Sequence, residues 1–341
     1  MILTEMQNRA IEGAVKCNTL YRIGGYAGTG KTTIAKSIIN ERRGAIVCAF
    51  TGKASSVLQK KGLYNATTIH NTIYNFDEKT NRFYKRHRNE LNGTYFLIDE
   101  GSMVPSKLFK DIKSYDLPIV VIGDPGQLEP VGEDAKLMHS PDIVLDTIHR
   151  YDASVAEFAE IVRTTGEYSI GEYPNIQIKP KSEYEKPTQG IILCGFNKTR
   201  VAINKQFHPN TEITEGDKLV VLVNNWDVGV NNGMLLEVKE IKDYYDKYIA
   251  VTCNLDNGKQ RELLLWTGNL NKEKTIDYNE QKKLQNRSII VDFGYALTCH
   301  KFQGSEDENI TVIDEMCDLW QPARWRYTAV TRTSKNLTIY V

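Results

Sequence analysis

The stretch GGYAGTGKTT, residues 24–33, lies between an apolar run and a segment with helical spacing. It matches the pattern Gly-x4-Gly-Lys-Ser/Thr, in which backbone amides wrap phosphate groups. In this pattern the lysine, here Lys31, neutralises the phosphates, and the hydroxyl of Thr32 binds Mg²⁺. The stretch therefore predicts a site for ATP and Mg²⁺, formed by Gly28, Thr29, Gly30, Lys31, Thr32 and Thr33.

Strand and helix patterns alternate around this stretch. Apolar runs of strand length occupy 19–24, 44–50, 94–100 and 118–124. Continuous apolar strands separated by helices predict a parallel sheet covered on both faces. Ligands bind beyond the carboxyl ends of such strands, so the residues that follow them are the candidates for chemistry.

The composition narrows the class of protein. The chain has 341 residues, which suggests two or three domains of about 100–200 residues each. Its formal net charge is zero, so any contact with nucleic acid must be local. No apolar run reaches the roughly 20 residues of a membrane span, and no signal-peptide pattern is present. Six cysteines without CxxC spacing argue against a zinc site and predict a cytoplasmic protein.

Polar residues follow two of the predicted strands. Asp99 and Glu100 close the run at 94–100, where an Asp would hold Mg²⁺ and a Glu would act as general base toward water. Gln127 follows the next run, where an amide would orient that water. The alternatives are an acidic pair favoured by a helix dipole and a simple turn. The catalytic interpretation points to hydrolysis.

One local segment is both basic and aromatic. KTNRFYKRHR, residues 79–88, contains Phe83, Tyr84 and Arg86 among its cations. Cations contact phosphates and aromatic faces contact bases, so the segment is a candidate nucleic-acid contact. A solvated surface hairpin is the alternative.

The second half of the chain has a different organisation. Residues 166–190 are typical of a connector, and a second α/β pattern begins at 190–196 and continues at 288–298, 309–314 and 336–341. Between them, residues 214–286 alternate in hydrophobicity and contain turn residues, which predicts an inserted antiparallel barrel.

These stretches together resemble the motifs of superfamily 1 helicases of the Dda/RecD-like branch. The matching stretches are LTEMQNRAI (3–11), GYAGTGKTT (25–33), AFTGKASSVL (49–58), ATTIHNTIY (66–74), LIDEGSMV (97–104), GDPGQLEPVG (123–132), LDTIHR (145–150), YALTCHKFQGSE (295–306) and YTAVTRTSKNLTIYV (327–341). Gly101, Glu129 and Phe302 depart from the residues usual in the family, and none of these departures removes a catalytic group.

The resemblance implies an architecture. We expect an α/β protein with two RecA-like P-loop domains, at 1–150 and 151–341. A small β-hairpin at about 75–93 would be inserted in the first domain. An SH3-like barrel at about 214–286 would be inserted in the second.

The resemblance also implies roles for single residues. Gln7 would read the adenine edge, Gly304 and Glu306 would help to bind the nucleotide, and Arg150 and Arg332 would contact the γ-phosphate, Arg332 as arginine finger. Lys31, Asp99, Glu100 and Gln127 complete the expected catalytic set, with Thr32 and Asp99 on the metal. The expected DNA contacts are Thr51, Lys53, Thr68, His70, Phe83, Tyr84, Arg86, Thr298 and His300.

The resulting hypothesis is a monomeric ATP-dependent DNA helicase. By resemblance it travels 5′→3′ on single-stranded DNA, acts at junctions of single and double strands, and works with replication or recombination proteins. If the chain is phage-encoded, it would act in the host cytoplasm. The alternatives are a single-strand-stimulated ATPase or translocase that displaces proteins or acts on RNA, a small-molecule P-loop kinase, and a passive DNA-binding module.

Overall fold

A computed structural model describes most of the chain. The described residues are 3–77, 80, 82–130, 132–148, 153–168, 173–225, 227–256, 258–281, 283–284, 288–318 and 320–341. The chain divides into two compact units, Met1–Ala156 (unit 1) and Glu157–Val341 (unit 2). The boundary predicted between residues 150 and 151 lies outside the described residues and stays a prediction.

The elements of unit 1 follow the alternation expected from the sequence. In chain order they are α1 (Glu5–Lys16), β1 (Leu20–Gly25), α2 (Lys31–Glu41), β2 (Ala45–Ala49), α3 (Gly52–Lys60), β3 (Thr67–Thr68), α4 (Ile69–Ile73), β4 (Tyr74–Asp77), β5 (Arg82–Lys85), β6 (Tyr95–Asp99), α5 (Ser106–Lys113), β7 (Ile119–Gly123) and β8 (Ile143–Leu145). The division between the units falls within α6 (Ala153–Thr165).

Within the described residues, unit 1 contains a six-stranded parallel sheet in the order β3-β2-β6-β7-β1-β8. Its central strands are buried on both faces, which explains their continuous apolar runs. In β6, for example, Tyr95 and Leu97 join one core cluster, whereas Phe96 and Ile98 join the cluster on the opposite face. The alternation follows from the two-residue period of a strand.

A two-stranded antiparallel ribbon, β4–β5, extends this unit, with Asn75 paired to Tyr84 and Phe76 to Phe83. Residues 78, 79 and 81, near its tip, lie outside the described residues. The ribbon occupies the region where the sequence predicts a small hairpin.

The elements of unit 2 continue the chain. They are β9 (Ile176–Lys179), β10 (Ile191–Cys194), α7 (Asn197–Phe207), β11 (Lys218–Val221), β12 (Leu235–Tyr245), β13 (Tyr248–Leu255), β14 (Gln260–Trp266), α8 (Tyr278–Gln281), β15 (Ile289–Phe293), β16 (Ala296–Thr298), α9 (Cys299–Phe302), β17 (Asp307–Ile313), α10 (Pro322–Val330) and β18 (Thr333–Tyr340). A second parallel sheet has the order β16-β10-β17-β18-β9.

The region 166–190 is more than the predicted connector. It contains β9, an edge strand whose Ile176 and Ile178 pair with Leu337 and Ile339 of β18. This strand could not be predicted from hydrophobic patterning, because it is short and edge strands lack a continuous apolar run. Pro and Lys residues around it also favour the prediction of a connector.

The barrel is formed by β11-β12-β13-β14-β15 and is closed. Its last strand, β15, lies beyond the predicted range 214–286, so the assignment of the whole stretch 288–298 to the second sheet is wrong. The stretch divides at Gly294 into barrel strand β15 and sheet strand β16. At Gly294 the backbone of Leu219 is so close that an added Cβ would lie 3.0 Å from its carbonyl carbon. Both strands are buried, and burial alone does not reveal which sheet a run joins.

Among the described residues, no helix combines the length and apolarity that a membrane crossing requires.

Candidate functional site

The phosphate-binding loop between β1 and α2 has the backbone that its glycines permit. Gly28 and Gly30 adopt left-handed φ values of 82° and 84°, which residues with a Cβ rarely adopt. The Thr29 hydroxyl donates to the Tyr26 carbonyl at 2.8 Å and stabilises the turn. The loop leads into the N-terminus of α2, where Thr32 and Thr33 are half-buried in the first turn. A loop of this shape before a helix N-terminus favours an anionic ligand.

Lys31, at the start of α2, lies against this loop and an acidic neighbour. Its Nζ donates to the carbonyls of Gly25 (2.7 Å) and Tyr26 (3.0 Å). It also lies 3.7 Å from Oδ2 of Asp124. Asp124 is not among the residues predicted from the sequence, because Gly-Asp-Pro-Gly is also an ordinary turn.

Asp124 directly follows β7 and is completely buried. Its Oδ1 accepts from the Gly126 N–H at 2.9 Å, and its Oδ2 accepts from Nε2 of Gln127 at 3.3 Å. Asp124 therefore connects the predicted Gln127 to Lys31. The signal that could have found it is its position, since it follows a buried strand as Asp99 ends one.

Asp99 and Glu100 lie at the carboxyl end of β6. Oδ1 of Asp99 accepts from the Glu100 N–H at 3.0 Å. Burial raises the pKa of the Asp99 carboxyl, and the Glu100 N–H and the Lys31 ammonium oppose that rise. Glu100 has φ 56° and ψ 44°, a left-handed conformation that is costly for a residue with a side chain and is typical of functional sites.

The donor set at this edge fits a magnesium ion. Carboxylate and hydroxyl oxygens are the ligands that Mg²⁺ prefers, and Asp99 and Thr32 supply one of each kind. The left-handed glycines leave space for phosphate oxygens close to the backbone. The residues at this edge of the sheet therefore fit a nucleotide phosphate with its Mg²⁺.

Gln7 connects α1 to the phosphate-binding loop. It is 1% exposed, its Nε2 donates to the Thr29 carbonyl at 3.1 Å, and its Oε1 accepts from the Thr4 N–H at 3.0 Å as part of a capping box. It also lines a small recess with Thr4, Met6, Thr29, Leu145, Asp146 and Thr147. One N–H of its amide remains for a ligand in that recess, and its predicted contact with adenine stays a prediction.

The described residues include one of the two arginines predicted to contact the γ-phosphate. Arg150 lies outside the described residues. Arg332, in unit 2, is 6% exposed and donates to the Thr328 carbonyl (3.0 Å), the Ser305 carbonyl (3.1 Å) and Oγ1 of Thr331 (3.1 Å). Its guanidinium is thus held by its own unit, and its role as arginine finger stays a prediction.

Two further residues predicted to help to bind the nucleotide lie just before β17. Gly304 is buried with a left-handed φ of 77°, and Glu306 is exposed. The left-handed turn at Gly304 ends the segment that Thr298 begins.

The three threonines predicted to contact DNA are all helix N-caps. Oγ1 of Thr51 accepts from the Ala54 N–H (3.1 Å), Oγ1 of Thr68 from the Asn71 N–H (3.1 Å), and Oγ1 of Thr298 from the Lys301 N–H (3.3 Å). An N-cap uses a lone pair of the oxygen, and a hydroxyl can still donate its hydrogen. A capping role and a phosphate contact are therefore compatible.

A series of aromatic rings leads from α4 to the β4–β5 ribbon. The ring of His70 lies 5.7 Å from that of Tyr74, and Tyr74 lies 6.5 Å from Phe83. Phe83 is 68% exposed, and Tyr84 is also exposed. Nε of Arg86 donates to the Tyr74 carbonyl at 3.2 Å, which holds it at the base of the ribbon. Lys53 is half-buried on α3.

His300 lies in unit 2, on α9. Its ring is 5.5 Å from Trp320, and burial lowers the pKa of its imidazole. With Thr298 it lines a cavity in this unit.

Two family models match parts of the sequence. Residues 7–133 match the AAA domain, and residues 293–340 match the UvrD-like helicase C-terminal domain. These matches cover the phosphate-binding loop with Asp99 and Gln127, and the segment with Thr298 and Arg332.

Among curated proteins, the chain is similar to the probable conjugal transfer protein TraA of Sinorhizobium fredii, with 25% identity over 396 residues, 99% of this chain and 32% of TraA. A shorter match, 37% identical over 122 residues, is to the ATP-dependent DNA helicase dda of Enterobacteria phage T4 and covers 32% of this chain and 28% of that protein. The chain thus spans about a third of the length of these relatives.

Among solved structures, the Pif1 helicase from Bacteroides in complex with ADP-AlF3 and ssDNA gives a TM-score of 0.64 at 18% identity, covering 99% of this chain and 92% of that one. A structure of Pif1 helicases at forked dsDNA gives 0.67 at 19% identity, covering 100% and 92%. The likeness confirms the predicted fold class, with RecA-like parallel sheets and a closed SH3-like barrel.

Proposed function

Because the chain belongs to the superfamily 1 helicases, in the Pif1- and Dda-like group, we propose that it is an ATP-dependent DNA helicase. It translocates 5′→3′ on single-stranded DNA and separates duplex DNA by hydrolysing ATP.

The observation that carries this proposal is the strand order of unit 1. The nucleotide residues lie at or after the ends of β1, β7 and β6, whereas Thr51 follows β2 and Thr68 is the last residue of β3. Because the strands are parallel, all five carboxyl ends lie on one edge of the sheet. Strand β6, with Asp99 and Glu100, is the nucleotide-site strand that pairs with β2. The γ-phosphate would therefore be bound and hydrolysed next to the strands whose threonines would hold DNA.

The nucleotide part of the proposal uses residues at that edge. Lys31 neutralises phosphate charge, and Thr32 and Asp99 hold Mg²⁺, which supplies further positive charge. Glu100 accepts a proton from the attacking water, and Gln127, held by Asp124, orients that water. Arg150 and Arg332 stabilise the charge on the transferring phosphoryl group, and Gln7, Gly304 and Glu306 contribute to nucleotide binding.

The DNA part relies on hydroxyl donors, cations and rings. Thr51, Thr68 and Thr298 donate to phosphates, with Lys53 nearby on α3. His70, Phe83 and Tyr84 offer faces to bases, and Arg86 a cation. His300 contacts the strand in unit 2. The β4–β5 ribbon separates the strands at a junction.

Two assays test the proposal. ATP hydrolysis in Mg²⁺ is expected to rise strongly when single-stranded DNA is added, and a forked duplex is expected to be separated only with hydrolysable ATP. Stimulated hydrolysis without strand separation would favour the alternative of a translocase that displaces proteins. Stimulation by RNA but not DNA would contradict the proposed substrate. Hydrolysis that is indifferent to nucleic acid would contradict the proposal altogether.

A further inference from the structure

Unit 2 contains a cavity of about 480 Å³ next to the segment Thr298–Lys301. Its walls come from α7, from β11 and the residue after it, from the loop that follows β14, and from the β16–α9 corner. The volume is within the range of sites that bind small organic ligands, about 300–1,000 Å³. It is larger than a single phosphate group requires.

A buried amide in this cavity has an unused donor. Asn269 is 1% exposed, and its Oδ1 accepts from the Ile276 N–H at 3.0 Å. Its Nδ2 has no hydrogen-bond partner among the described residues. A buried donor without an acceptor is costly, so its presence indicates an acceptor supplied by a ligand.

The rest of the lining combines cations with an apolar wall. Val220, Leu222 and Leu297 are buried hydrophobic residues. Lys301, whose Nζ donates to Oδ1 of Asn232 at 2.8 Å, lines the cavity with Arg200. Arg200 is already bound to Asp292 and to the Lys272 carbonyl, which leaves Lys301 as the better candidate to meet an anion.

A ligand that fits has a flat apolar body, hydrogen-bond acceptors and a negative charge. A nucleotide has all three, because its base is flat, its ring and carbonyl atoms accept, and its phosphate is anionic. We propose that this cavity binds one nucleotide of the bound single strand, with the base inside. This inference rests on the proposed function.

The contacts of that nucleotide follow from the lining. The base packs on Val220, Leu222 and Leu297, Nδ2 of Asn269 donates to a base acceptor, and Lys301 contacts the phosphate. Every base offers an acceptor, so a single donor grips the strand with little preference for sequence. Such tolerance suits a motor that must move past any base.

Abasic scanning of the DNA tests the inference on the unaltered protein. A tail joined to a duplex fixes the register, and each base of the tail is removed in turn while its phosphate is kept. One position is expected to weaken binding about five- to tenfold, the size of one lost hydrogen bond with its packing. If no abasic position weakens binding, while the intact tail binds and stimulates ATP hydrolysis, the inference is wrong and the proposed function still stands. An intact tail that does neither would contradict the proposed function instead.

Asn269→Asp provides a second test, because it keeps Oδ1 for Ile276 and replaces only the donor. It is expected to weaken tail binding about tenfold and to remove the sensitivity at the one abasic position. Asn336→Asp, an exposed residue of β18 that does not line the cavity, is the control for added charge. If Asn269→Asp retains the abasic sensitivity, Asn269 does not contact the base. If free dTMP binds the cavity with the same affinity as the single strand, the cavity is a site for free nucleotide and the inference is wrong.

Discussion

At the scale of single residues, the side chains of the candidate site are linked by an ion pair and hydrogen bonds. Lys31 contacts Asp124, and Asp124 accepts from Gln127. Asp99 and Glu100 lie at the end of the neighbouring strand, and Glu100 has a costly left-handed backbone conformation. The four polar groups other than Lys31 lie at or just after the carboxyl end of a parallel strand. Because these groups contact one another, removing one is expected to disturb its neighbours.

Lys31→Ala is expected to reduce ATP hydrolysis at least about 100-fold, because one preorganised charge at a reacting group contributes on that order. Binding of single-stranded DNA, measured by fluorescence anisotropy without nucleotide, should change little. Lys36→Ala, exposed on the same helix, is the matched control and should hydrolyse ATP normally. Retained turnover in Lys31→Ala would show that the loop is not the catalytic site.

Asp124→Asn is expected to reduce ATP hydrolysis and to lower the free energy of unfolding by about 1–3 kcal/mol, because a buried amide donor would then face Nε2 of Gln127. Steady-state kinetics and urea unfolding measure the two effects. The exposed Asp116→Asn serves as control. If both quantities were unchanged in Asp124→Asn, the proposed link between Lys31 and Gln127 would be incorrect.

Lys301 predicts a pH dependence of DNA binding. Burial, assisted by Arg200, lowers the pKa of its ammonium to about 8, while Asp292 opposes the shift. The positive charge is therefore lost as the pH rises through 8, and affinity for oligo(dA) should fall severalfold between about pH 7 and pH 9. Burial lowers the pKa of the His300 imidazole, which moves its titration away from this range.

Lys301→Arg keeps its charge over that range and should bind with little change in affinity as the pH rises. Anisotropy titrations at fixed ionic strength compare the two proteins. Equal pH slopes would exclude Lys301 as the titrating contact.

The sequence could predict those residues whose role requires a special residue type. Gly28 and Gly30 were predictable because the loop needs left-handed φ values, and the structure has them. Asp124 was missed because Gly-Asp-Pro-Gly is also an ordinary turn. The capping bonds of Thr51, Thr68 and Thr298 could not be separated from a DNA contact by sequence, since the same hydroxyl serves both.

At the scale of elements, the ribbon β4–β5 is the feature most directly tied to strand separation. It is short, its exposed face is aromatic, and its base is fixed by Tyr74, whose hydroxyl bonds Asp111. The sequence suggested the ribbon through its basic and aromatic composition. It could not show that His70 and Tyr74 continue the series of rings into α4.

Shortening the ribbon is expected to uncouple separation from hydrolysis. Asn75 and Tyr84 are paired, so residues 76–83 can be replaced by a two-residue Asn-Gly turn. Unwinding of a forked duplex should fall about tenfold or more, while stimulation of ATP hydrolysis by single strands remains, because the phosphate-binding loop is unchanged.

Phe83→Ala tests the same element more mildly. Its control is Tyr244→Ala, which removes an exposed aromatic ring from barrel strand β12. Unwinding is expected to fall only in Phe83→Ala. If the shortened protein separates strands at the normal rate, the role assigned to the ribbon is wrong.

At the scale of the whole chain, hydrophobic patterning identified both parallel sheets but misplaced their limits. The stretch 288–298 read as one strand, yet Gly294 divides it between the barrel and the second sheet. The edge strand β9 was missed because an edge strand needs no continuous apolar run. In both cases the sheet that a strand joins is decided by its pairing with residues distant in the chain. The local sequence pattern carries no information on that pairing.

The direction of travel also belongs to this scale, because no single side chain sets it. The most direct test is the separation of a duplex that has either a 5′ or a 3′ single-stranded tail, with ATP and Mg²⁺, under single-turnover conditions. The proposed function predicts that the 5′-tailed duplex is separated and the 3′-tailed duplex is not. Separation of the 3′-tailed duplex alone would contradict the proposed 5′→3′ direction, and separation of neither would contradict the proposed helicase activity.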